Sequence, residues 1–159
     1  MAAANRSGGP RGTQALVARS QRKVQQSNEA LETPRAILAY RQTWPARAVS
    51  DALTARGGAV VALLSDGAEL VGATIAEQPE VVVTEELLPT LTGIEAVTQI
   101  CEFAPTAFVA VQVDVATHAP AFLKAGARAV FSRRIPGPRL ADLVWSALQT
   151  QDDEPFACL

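Results

Sequence analysis

The chain has 159 residues, 48% of them apolar and 5% aromatic, with a formal net charge of -2. That length suffices for one domain with its own core, and the charge gives no support for broad nucleic-acid binding. Cys101 and Cys158 stand far apart without metal-ligand spacing, no apolar run approaches membrane-spanning length, and the N-terminus lacks a signal-peptide core, so a soluble protein of a reducing cytosol is expected.

Residues 1–33 differ from the rest. Residues 1–13 hold Gly, Pro, Ser and Arg and are expected to be disordered. Over residues 14–32 the apolar positions Leu16, Val17, Val24 and Leu31 are sparse, so a helix there would be marginal alone. Arg6, Arg11, Arg19, Arg22 and Lys23 against Glu29 and Glu32 give this flexible basic extension a charge of +3, leaving -5 for the remainder. A solvated extension is the expectation; a basic arm for a partner or a nucleic-acid backbone is the other reading.

From Arg35 onward, apolar strands alternate with helical segments. Residues 35–40 (RAILAY) read as the first strand. Residues 45–56 read as a helix, with Pro45 suited to its first turn and Gly57-Gly58 as its stop. Ala59–Leu64 (AVVALL) has the pattern of a strand buried on both faces. Ser65-Asp66-Gly67 turns into a second helix that ends before Pro79, and residues 80–84 (EVVVT) follow as the third strand. Residues 92–103 form a third helix with Ile94, Val97, Ile100 and Cys101 along one face. Residues 107–113 are the fourth strand. Ala119–Ala125 is a short helix closed by Gly126; Pro120 confines it and leaves residues 115–118 as a loop. Residues 128–132 (RAVFS) are the fifth strand, 138–149 the last helix, and 151–159 a frayed acidic tail. Strict alternation over residues 34–150 argues for an α/β domain, a five-stranded parallel sheet with helices on both faces. The expected strand order is the flavodoxin-like 2-1-3-4-5, which gathers functional groups at the carboxyl ends of the strands.

Two stretches then carry a family resemblance. EVVVTEELLPTLTGIE (residues 80–95) resembles the third strand and phosphoacceptor loop of bacterial response-regulator receiver domains, in which the phosphorylated Asp stands four residues before a Pro and eight before a Gly. Pro89 and Gly93 place Glu85 at that position. LKAGARAVFS (residues 123–132) resembles the family's stretch leading into the fifth strand. The resemblance covers about residues 35–149. It implies a receiver fold and a two-component signalling role, with the phosphorylation pocket degenerate.

Receivers that accept phosphate hold Mg²⁺ through an acidic pair after the first strand. Tyr40 and Arg41 stand at that pair, a ring and a cation where a hard divalent ion needs carboxylate oxygens. The carboxylate of Glu85 lies one methylene farther from the backbone than that of Asp, which disturbs the geometry of in-line attack. Glu85 as a partial mimic of phosphoaspartate and Glu85 as a plain ion-pair partner are both open at this stage. The family's Lys aligns with Arg133, followed by Arg134. A Glu85–Arg133 pair, joined by Arg41, would supply internally the cation that Mg²⁺ otherwise provides. The family's hydroxyl position falls at Val111 or Gln112; neither has the hydroxyl, though the Gln112 amide could bond Glu85. The aromatic switch position holds Val130, with Phe131 pointing to the opposite face.

No nucleotide-binding glycine motif is present, and neither a metal site, a cofactor nor enzymatic activity is expected. In the last helix Leu140, Leu143, Val144, Ala147 and Leu148 form the inward stripe. Trp145 lies off that stripe beside Ala141 and Gln149, and with Arg134 these are expected to form a partner or dimer face. Trp44 is expected to staple the first helix to the body. His118 reads as a loop histidine without a role, Cys101 as core, and Glu85 and Glu86 as facing opposite ways. The function expected is a phosphorylation-independent regulatory module of the cytoplasm. It would act by protein–protein contact, with a signalling protein or as a homodimer, without membrane partner, with no nucleic acid expected unless through the basic tail, and without a separate output domain. The alternative is a pseudo-receiver that senses a small anion or metabolite through Arg41, Arg133 and Arg134.

Overall fold

Six strands and five α-helices alternate along residues 33–150 and 154–159, the residues described by the computed structural model. Apart from Thr33, the basic extension expected over residues 1–33, with its helix candidate, lies outside the described residues. In chain order the elements are β1 (Arg35–Ala39), α1 (Thr43–Ala55), β2 (Ala59–Leu64), α2 (Gly67–Glu77), β3 (Val81–Glu85) and α3 (Gly93–Phe103). They continue with β4 (Phe108–Val113), a 3₁₀ turn (Ala116–His118), α4 (Ala119–Ala125), β5 (Ala129–Ser132), α5 (Gly137–Thr150) and β6 (Phe156–Cys158). The 3₁₀ turn occupies most of the stretch expected as a loop before α4.

The strands form one sheet in the order β2-β1-β3-β4-β5-β6, and every neighbouring pair is parallel. The expected five-strand order is present and carries a sixth strand where a frayed tail was expected. The reason lies in what the tail meets. Phe156 sets its ring edge-on to Phe131 at 5.7 Å between centroids, and its N–H donates to the Arg128 carbonyl at 3.0 Å. A short apolar run thus finds an aromatic neighbour and a backbone acceptor on the open edge of β5.

Alternation along the strands splits the core into two layers. Ile37, Val82, Val109 and Val130 pack with Leu70, Val97, Ile100 and Phe122 of α2, α3 and α4. Leu38, Val83, Phe108 and Phe131 pack with Val49, Leu53, Leu140 and Val144 of α1 and α5. With helices on both faces, β1, β3 and β4 need apolar side chains at nearly every position, which is why they read as continuous runs. β2 departs from the burial expected of it. Val61 and Leu63 are 41% and 46% exposed, because β2 is an edge strand at the rim of the helical layers.

The turns that aim the strand ends are locally encoded. Asp66 caps α2 by accepting the Glu69 N–H at 3.0 Å. Thr92 and Glu95 form a reciprocal capping box at the start of α3. Gly126 closes α4 at φ +114, over Cys101, whose half-buried thiol is pushed to a higher pKa by burial. No helix among the described residues is long and apolar enough to cross a membrane.

Candidate functional site

The carboxyl ends of β1, β3, β4 and β5 converge at one edge of the sheet, and parallel register sets Glu85 opposite Gln112. Tyr40 follows directly on β1 and is 4% exposed. Its hydroxyl donates to the Gln112 Oε1, and the Gln112 amide nitrogen reaches the Ser132 carbonyl at 3.5 Å. Gln112 is therefore bonded to Tyr40 and Ser132, and its expected bond to Glu85 is not formed. Burial first, and the Glu85 charge second, push the Tyr40 pKa far above its ordinary 10.0.

Tyr40→Phe should therefore leave the buried Gln112 oxygen without its donor and cost about 1–3 kcal/mol in urea unfolding. The same substitution should alter the alkaline limb. The folded state holds the Tyr40 proton more tightly than the unfolded chain, so stability present below the ordinary pKa falls as pH rises above 10.0. Tyr40→Phe should flatten that part of the curve, and an unchanged slope would contradict the assignment.

Glu85 lies at the end of β3 and is 5% exposed. One carboxylate oxygen accepts the Arg41 backbone N–H and lies 3.4 Å from the Arg41 Nε. Arg41 thus holds Glu85 through both its main chain and its side chain. The expected Glu85–Arg133 pair is absent. The Arg133 N–H donates to the Val113 carbonyl at 2.9 Å, which sets the residue beside the β4–α4 loop. There its guanidinium meets Asp114 at 3.0 Å, and this hydrogen bond holds it above the ordinary arginine range.

Glu86 faces away from Glu85, as alternation requires, and is 8% exposed. One of its oxygens accepts the Asp114 N–H at 2.6 Å, and the other lies 2.8 Å from the His118 Nδ1. His118 was expected to have no role; it instead pins the 3₁₀ turn to the end of β3. Thirty-two residues separate the pair, and no local pattern in the sequence announces it. The β3–α3 loop that carries Glu86 is closed at its far end by Gly93, whose N–H donates to the Glu86 carbonyl at 3.0 Å.

Tyr40, Trp44, Val49, Glu85, Arg134 and Pro136 are among the walls of a cavity of about 330 Å³ over this edge. Trp44 is 80% exposed at its rim and does not staple α1 to the body, because it stands in the first turn of α1 outside the buried stripe of Ala46, Val49, Ala52 and Leu53. The magnesium that phosphate-accepting receivers hold does not fit these residues. The Arg41 main chain and guanidinium converge on the Glu85 oxygen that a metal would need, and Tyr40 offers a neutral phenol already bonded to Gln112. Among the described residues no three His, Cys, Asp or Glu side chains gather to hold a metal ion.

The expected partner face is not one surface. Ala141 is fully buried, since the stripe of α5 that meets the sheet runs through Leu140, Ala141 and Val144. Trp145 is half-buried beside the turn after α1, where a Cβ on Gly58 would lie 3.4 Å from its ring. Gln149 and Arg134 are exposed.

No family model matches the chain, and no curated protein matches it. Solved structures do. The receiver domain of NarL from Mycobacterium tuberculosis is 16% identical, covers 76% of this chain and 99% of its own, and superposes with a TM-score of 0.69. The response-regulator domain of Thermotoga maritima CheB is 20% identical over 76% of this chain and 99% of its own, with a TM-score of 0.67. The receiver domain of RcsB from Salmonella enterica serovar Typhimurium is 17% identical over 79% of this chain and 93% of its own, with a TM-score of 0.69. The chain has the fold of a response-regulator receiver domain.

Proposed function

We propose that this chain is a degenerate receiver, a signalling module that works by contact with a protein partner or a second copy and takes no phosphoryl group. The observation that carries the reading is the Arg41–Glu85 arrangement: the carboxylate at the acceptor position is buried and engaged by a cation of the chain itself. In a phosphorylatable receiver the corresponding carboxylate must be free to attack, with a divalent ion neutralising the incoming oxygens. Here the charge is already countered by Arg41, and the neighbouring Tyr40 and Gln112 side chains are bonded to each other rather than to an incoming ligand. Glu85 then serves as a fixed charge that orders the β1–α1 loop through the Arg41 N–H. The small-anion reading is the weaker one, because Arg41 and Arg133 are already paired with Glu85 and Asp114.

A ligand that binds the folded state raises its melting temperature in proportion to occupancy. Millimolar magnesium should therefore leave the melting temperature where an equal ionic strength of sodium chloride leaves it. A magnesium-specific rise that Glu85→Gln abolishes would defeat the proposal.

A further inference from the structure

The outer edge of β5 is covered by a strand that has little holding it. Phe156 alone is half-buried; Ala157, Cys158 and Leu159 are exposed. The Phe156 ring meets Phe131 and a hollow lined by Leu143, Ser146, Ala147 and Thr150. With so few buried apolar contacts, β6 belongs to the part of the molecule that opens at low cost.

The track does not stop where β6 stops. Beyond the strand, Leu159 borders an open groove of about 670 Å³ walled by Val115, Ile135 and Pro136, with Arg134 and Arg139 along it. Neither guanidinium has a partner among the described residues. A strand edge now covered by β6, an aromatic hollow and two unpaired cations thus lie in line, and Asp114, the one carboxylate on the groove's wall, is already paired with Arg133.

We infer that the outer edge of β5 and this groove together form an acceptor for an extended peptide segment of a partner protein, with β6 as a tethered occupant of its first half. The segment would run parallel to β5, as β6 does, with an aromatic side chain opposite Ala129, where Phe156 now sits. One or more carboxylates beyond the position of Leu159 would meet Arg134 and Arg139. Among the described residues β6 makes the first set of contacts, and its advantage is the tether, which gives it an effective concentration of order millimolar. A partner segment makes both sets and displaces it. The inference rests on the reading that the module acts by protein contact, and it names the chemistry of that contact.

The test is a fluorescein-labelled peptide copying residues 154–159 followed by two aspartates, titrated by anisotropy under reducing conditions against the full chain and against Phe156→Ala. Removing the tail's anchor frees the site, so Phe156→Ala should bind the peptide about tenfold tighter, the gain expected when a competitor that holds nine sites in ten is released. In the Phe156→Ala background, Arg134→Glu with Arg139→Glu should weaken the peptide severalfold and leave a peptide without the aspartates unaffected. Equal affinity of the full chain and Phe156→Ala, no binding to Phe156→Ala, or indifference to the arginine reversals would each overturn the inference. None of these outcomes bears on whether Glu85 accepts phosphate, so the two readings fail separately.

Discussion

Phe131→Ala should lower the unfolding free energy by about 3–5 kcal/mol, the usual cost of emptying a buried aromatic site. Phe131 is fully buried in the layer formed with α1 and α5, and it is the residue against which Phe156 stacks. Its loss should act twice, leaving a cavity under α5 and removing the seat of β6. Urea unfolding followed by circular dichroism gives the first effect, and faster hydrogen exchange at the Phe156 amide, which donates to the Arg128 carbonyl, gives the second. For a domain whose total stability is of order 5–15 kcal/mol, a loss of this size is a large share. A cost below about 1 kcal/mol would mean that Phe131 does not fill the core as described.

Gly93→Ala should cost about 3 kcal/mol and disturb the candidate site at a distance. A Cβ at Gly93 would lie 2.4 Å from the Glu86 carbonyl oxygen and 2.9 Å from the Glu86 Cα, both backbone atoms. No side-chain rotation relieves such an overlap, so the β3–α3 loop must move, at the upper end of the usual cost of overpacking. Glu86 moves with it, and Glu86 holds the Asp114 N–H and His118. The amide of Asp114 should then exchange faster and the His118 ring resonances should shift, even under conditions where the variant remains folded. A variant as stable as the parent would show that the close approach is relaxed in solution.

The same glycine explains why part of the site was legible in the sequence. Its spacing from Glu85 is what resembled a receiver, and the structure gives the reason a glycine is needed: the loop returns against the start of α3 with no room for a side chain. The strand order was legible too, because buried parallel strands advertise themselves as apolar runs between helices. The runs mislead only at the edge, where β2 carries an equally apolar sequence with two of its side chains in solvent.

What the sequence concealed is long-range pairing. Arg133 meets Asp114 rather than Glu85 because its N–H bonds the Val113 carbonyl beside the β4–α4 loop, and no local pattern encodes that placement. His118 and Glu86 lie on different elements, so their contact exists only once β3 and β4 are side by side. Ala141 and Trp145 are one helical turn apart, yet the first is fully buried and the second only by half. β6 was missed because three apolar residues after an acidic stretch carry too weak a signal for a strand; the edge of β5 supplies what the local sequence does not.

If Arg41 stands in for a metal beside Glu85, as proposed, the carboxylate at the end of β3 has no phosphoryl chemistry. Incubating the full chain with a small-molecule phosphodonor and magnesium, then recording the intact mass, tests this directly. An unchanged mass is expected; a stable added phosphoryl group that disappears in Glu85→Gln would overturn the proposal.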